Sequence, residues 1–129
     1  MAFTHLEIHS NLTLLGATPF IEALASRAST DGFAHLALTD TNALYGAVAF
    51  VRACRKEGVQ PLTGMTVTLQ QPISGPKHLQ PNDSRPGHLV LLAKDAAGYR
   101  SLCRLSTLIQ GHPDRETIAA NGLAWEQIA

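Results

Sequence analysis

The stretch from His35 to Leu69 constrains the fold more than any other part of the chain. It opens with HLALT (35–39), nearly all apolar, as strands buried inside a parallel sheet tend to be. A helical segment, ALYGAVAFVRACRKE (43–57), follows and is ended by Gly58. The next strand is PLTGMTVTL (61–69), with a possible interruption at Gly64. Strand, helix and strand in this order predict a right-handed crossover between parallel neighbours. Arg52, Arg55 and Lys56 fall in the last turns of the helix, where they complement its dipole. Between strand and helix, Asp40-Thr41-Asn42 supply turn chemistry, with Asp40 read as a helix or turn cap for the Asn42 segment rather than as a ligand.

The other segments extend this alternation. FTHLEI (3–8) reads as a short strand, which would put His5, Glu7 and His9 on one face. Residues 18–31 read as a helix, with Thr18 as N-cap, Pro19 at the first helical position and Gly32 closing the end. Ile21, Leu24, Ala25 and Ala28 share one side of it. Residues 70–87, rich in Pro, Gly, Asn and Ser, read as a long flexible surface loop. HLVLLA (88–93) is a further strand. Residues 95–110 form a helix, with Asp95 as N-cap and Leu102, Leu105 and Leu108 on its apolar side. The tail, 113–129, reads as short helices around Thr117–Ala120 and Trp125–Ile128. The whole chain, 1–129, is expected to be one α/β domain with a largely parallel sheet. Four strands make either an open sheet or an incomplete barrel. Active sites in both gather at strand C-termini, here His9 and Ser10, Asp40 and Thr41, and Thr66.

Composition narrows the function. Ten basic and ten acidic residues cancel. That leaves no basic excess for nucleic acid, so contact with DNA is expected only indirectly, through another part of a larger machine. No apolar run approaches the roughly 18 residues of a membrane span, so no membrane association is expected. No basic-then-apolar signal opens the chain, and a cytoplasmic location follows as the default. Cys54 and Cys103 lie in apolar helical contexts outside any CxxC pair and read as buried free thiols in a reducing compartment. No GxGxxG or P-loop lysine supports a nucleotide-binding module.

Four motifs in order, HLEIHSNLTLL, LALTDTNALYGAVAF, VQPLTGMTVTL and HLVLLAKDAAGYRSLCRLST, resemble the N-terminal PHP domain of the bacterial DNA polymerase III alpha subunit. The resemblance runs from about residue 3 to about residue 110. HLVLLAKDAAGYRSLCRLS favours the polymerase branch over free-standing PHP phosphatases, and TDTNALYGA is closest to error-prone alpha-type subunits. The resemblance implies a partial barrel of parallel strands and helices. It also implies metal ligands at the strand ends, which in active members bind divalent ions for phosphoester hydrolysis.

Against that pattern the chain departs at several positions. Glu7 stands where the first His of His-x-His is expected, before His9 and Ser10. Leu14-Leu15-Gly16 lacks the Asp that normally follows two apolar residues. Thr41 replaces the His of Thr-Asp-His, and Gly64-Met65-Thr66 lacks the Glu of Gly-x-Glu. His88 is kept. Glu7, His9 and His88 are therefore the remaining metal candidates, the outline of an eroded site. They could still form a His2Glu zinc site, or the histidines could serve only as hydrogen-bonded strand-end residues. His5 reads as packing.

No cofactor is expected, with zinc or manganese as the alternative. The leading function is a non-catalytic structural or interaction segment of a polymerase III alpha-type subunit, in DNA replication or translesion synthesis. The polymerase active site would lie far downstream. The alternative is a metal-dependent phosphoesterase or 3′–5′ exonuclease. An incomplete barrel leaves an open edge and an uncovered apolar face, so association with the rest of an alpha subunit or with a second copy is expected. Ile118, Leu123, Trp125 and Ile128 are candidates to cover the opening.

Overall fold

The structure, a computed structural model, describes residues 3–70 and 86–128. Helix α1 (Ile21–Thr30), strand β1 (His35–Leu38), helix α2 (Ala47–Lys56) and strand β2 (Gln60–Leu69) come first. Strand β3 (Gly87–Leu92), helices α3 (Ala96–Gln110) and α4 (Arg115–Asn121), and a 3-10 turn (Trp125–Gln127) follow. Most of the expected loop 70–87 lies outside the described residues.

The sheet order is β1-β2-β3. β1 and β2 are parallel, with Leu36 opposite Pro61 and Leu38 opposite Thr63. The α/β architecture, the parallel crossover and the open sheet agree with the partial barrel expected from the sequence. One departure is β3, which runs antiparallel to β2, with Met65 opposite Leu91 and Val67 opposite Leu89. The sequence between them has no helical pattern, and antiparallel strands need no helical crossover. Gly64 does not interrupt β2, which runs unbroken through it, and a Cβ there would lie 2.5 Å from the Leu91 carbonyl oxygen. The glycine lets β3 approach.

Residues 3–8 do not form the expected regular strand. The segment still runs beside β1: Ala37 N–H donates to the His5 carbonyl at 3.1 Å and Thr39 N–H to that of Ile8 at 2.8 Å. Two residues along β1 thus match three along the segment, as in a bulge, and the alternation breaks between His5 and Ile8. The His5 ring packs edge-on against Phe3 and Phe33, at centroid distances of 4.7 and 5.3 Å.

Helix ends explain two further shifts. α1 begins at Ile21, after Thr18 and Pro19, because the Pro19 carbonyl accepts Asn11 N–H at 2.8 Å. α2 begins at Ala47 rather than at residue 43. Asn42 sits at φ 58°, and its N–H is held by the Thr66 carbonyl at 2.8 Å, which keeps the next residues out of the helix. Both helices end at glycines with positive φ, Gly32 and Gly58. There Phe33 N–H reaches the Ala28 carbonyl and Val59 N–H that of Cys54, each at 2.9 Å, closing Schellman motifs. Asp95 caps α3 as expected, accepting Gly98 N–H at 2.8 Å.

Two apolar clusters form. One joins α1, β1 and α2 through Ile21, Ala25, Leu36, Leu38, Phe50 and Cys54. Burial pushes the Cys54 thiol up to about 11. Cys103, expected to be buried as well, is only half-buried. The second joins Met65 and Val67 of β2 to Leu102, Leu105, Ile109 and Leu123. Ile109, not Leu108, completes the inner face of α3, and Leu108 is exposed. The tail folds back as expected for Leu123, which bridges to Leu69, and for Ile118 and Ile128, which pack on the second cluster. Trp125 is 60% exposed and covers little. Among the described residues no helix is long and apolar enough to cross a membrane.

Candidate functional site

The C-terminal ends of β1 and β2 and the loop after residue 8 meet in one polar layer. Ser10, Thr39, Asp40, Asn42, Thr66 and Thr68 are all buried there. A buried polar group needs a partner to offset its lost hydration. Asp40 has three: Ser10 N–H at 2.6 Å, the Ser10 hydroxyl at 2.7 Å and the Thr13 hydroxyl at 2.8 Å. This corrects the reading of Asp40 as a cap for its own turn. The carboxylate instead fastens the loop of the first motif onto the second. The Thr13 oxygen also accepts Thr41 N–H at 3.1 Å and lies 3.4 Å from His9 Nδ1.

The other members are matched pairwise. The Thr66 hydroxyl donates to the Thr39 carbonyl at 2.9 Å. Asn42 grips Thr68 twice, its amide donating to the hydroxyl and its Oδ1 accepting the N–H, both at 2.9 Å. Gln110, at the end of α3, donates to the Asn42 carbonyl at 2.8 Å and accepts the Tyr45 hydroxyl at 2.8 Å. Among the described residues no buried side-chain nitrogen or oxygen is left without a partner.

The candidate ligands are not gathered into one set. Glu7 Oε1 lies 3.6 Å from His9 Nε2, a loose pair open to solvent. His88 is exposed on β3, opposite Thr68 in the register. Among the described residues no three His, Cys, Asp or Glu side chains come together closely enough to hold a metal ion. Beside this layer, Leu14 and Leu15 are exposed, with Leu15 at φ 60°. A void of about 10 Å³ borders Asp40, room for no more than about one water. Sequence reasoning missed Ser10 and Thr13 as partners of Asp40. Their link spans about thirty positions, which no local pattern encodes.

The layer of strand-end motifs, in this order and on this partial α/β sheet, has a counterpart among known proteins. The PHP domain profile matches residues 5–127. The chain belongs to the PHP domain family. This PHP domain is homologous to the N-terminal region of bacterial DNA polymerase III alpha subunits. It is 36% identical over 110 residues to the DNA polymerase III subunit alpha of Bacillus subtilis, covering 85% of this chain and 9% of that protein. With the subunit of Halalkalibacterium halodurans it shares 34% over 128 residues, 99% of this chain and 10% of the relative. The Borreliella burgdorferi subunit is 32% identical over 82% of the chain and 9% of its own length. The PHP domain chain thus spans about a tenth of these relatives. In structure it resembles an amidohydrolase from Chromobacterium violaceum with bound sulfate and no metal, at a TM-score of 0.61 and 24% identity. That likeness covers 85% of this chain and 34% of the other and bears on the fold.

Proposed function

We propose that this PHP domain is a structural and interaction element of a polymerase III alpha-type polypeptide serving DNA replication or translesion synthesis in the cytoplasm. It packs against the rest of that polypeptide and meets DNA only through it. The observation that carries this reading is the use made of Asp40. A carboxylate holding Ser10 and Thr13 with three hydrogen bonds acts as a fastener, not as a free ligand.

The residues present do not fit a multi-ion cluster, which needs several anionic oxygens at short range. Thr66 and Thr41 offer neutral hydroxyls in place of the expected ligands, and that of Thr66 is already bonded to the Thr39 carbonyl. Glu7 and His9 stand beside each other, but His88 is not gathered with them. The site is therefore read as degenerate, with no metal-activated water and no polymerase chemistry in this chain. The Glu7–His9 contact supports the second reading, a reduced zinc or manganese site of a phosphoesterase or 3′–5′ exonuclease.

Elemental analysis after purification without chelators separates the two. The first reading expects far less than one zinc or manganese per chain and no metal-dependent hydrolysis of phosphomonoesters or single-stranded DNA. Stoichiometric metal and turnover, both lost in His9→Ala, would establish the second.

A further inference from the structure

A groove of about 750 Å³ runs between α2 and the start of α3, away from the polar layer. Its first wall is a helical stripe of α2: Val48, Val51, Arg52 and Arg55, at the i, i+3, i+4 and i+7 spacing of one face. That stripe lies beside the inner face of the helix, where Phe50 and Cys54 are buried, and the buried Ala47 at the edge of that face also lines the groove. The floor includes Pro61 and Leu62 of β2, and the opposite wall includes Lys94 and Tyr99. Val48 is 58% exposed, so a large aliphatic group faces solvent in the groove. Among the described residues Arg52, Arg55 and Lys94 have no ion-pair partner.

We infer that this groove is a docking site for an acidic, amphipathic peptide segment of a separate protein. Aliphatic residues along the wall and floor would receive its apolar face, and the three cations at the rim would receive its carboxylates. Charge complementarity decides the class of occupant: among the described residues three positive groups and one carboxylate, Asp95, line the groove, a net positive lining on a chain that as a whole is neutral. A nucleic acid strand would also be drawn to cations, but it needs stacking platforms, and among the described residues Tyr99 is the single aromatic lining this groove. A continuation of the same sheet would add at an open strand edge, not between two helices that already flank β2. The inference does not depend on the state of the motif layer.

The test uses the 129-residue chain and a fluorescently labelled synthetic helix of about 15 residues, with leucines on one face and glutamates on the other. Anisotropy is expected to show saturable binding that weakens with rising salt. The double variant Arg52→Glu/Arg55→Glu should weaken it about tenfold or more, while Arg115→Glu on α4 leaves it unchanged. Amide shift mapping on the unmodified chain gives a reading independent of any variant, with changes expected at Val48, Val51, Lys94 and Tyr99. Four results would each overturn the proposal. They are peptide-induced shifts elsewhere, peptide affinity indifferent to the double variant, binding of an oligothymidine strand instead of the peptide, or concentration-dependent self-association through the same amides.

Discussion

Phe50 and Cys54 in the first apolar cluster, and Ser10 and Thr39 in the polar layer, are all at 0% exposure. Equal burial hides opposite physics. The cluster is held by apolar area withdrawn from water, which is non-directional and tolerates substitution if volume is kept. The polar layer is held by particular donor–acceptor pairs, and each lost partner strands another group out of water. The comparison teaches that this PHP domain keeps its strand-end motifs in place with hydrogen bonds of its own.

Removing volume from the cluster should have the largest effect. Phe50→Ala deletes the largest fully buried side chain and is expected to cost about 3–5 kcal/mol in urea unfolding followed by circular dichroism. Asp40→Ala follows at about 3 kcal/mol, because three donors from Ser10 and Thr13 lose their acceptor. Asp40→Asn should recover part of this. A cost below about 1 kcal/mol for Asp40→Ala would break the comparison, since ordinary hydration would then replace the fastener.

Next comes pH. The folded Cys54 thiol ionises at about 11, above its usual value of 9.0, because burial disfavours the thiolate. The unfolded chain therefore gives up that proton first. Its contribution to stability is complete below pH 9 and is lost as pH rises toward 11. Unfolding midpoints measured across this window should fall, and Cys54→Ala should flatten that fall. The smallest change is Thr66→Val, which removes one bond to the Thr39 carbonyl and should cost about 1 kcal/mol.

Much of the fold was legible because it rests on local rules. Gly32 and Gly58 end their helices as read, Asp95 caps α3, and the apolar run HLAL forms a buried parallel strand. Errors arose where distant groups overrode local preference. Thr18 and Pro19 look like a helix start, yet Asn11 holds the Pro19 carbonyl outside it. Residues 43–46 look helical, yet β2 pins Asn42. The direction of β3 could not be read from HLVLLA, since an apolar run reads the same way in either sense. At the site, residue types showed only where the chain departs from the expected metal pattern. They did not disclose that Asp40 is bonded to Ser10 and Thr13.

The Gln110 side chain has a kinetic consequence. It ties α3 to Asn42 and Tyr45 across 68 and 65 positions. A link of that span closes only after the intervening chain has collapsed, because loop closure opposes it until then. Its stabilisation should therefore be missing at the folding barrier and present only in the finished protein. Gln110→Ala is expected to leave the refolding rate nearly unchanged and to speed unfolding, as stopped-flow measurement of both limbs would show. This one amide would then act on how long the folded state lasts, more than on how quickly it forms.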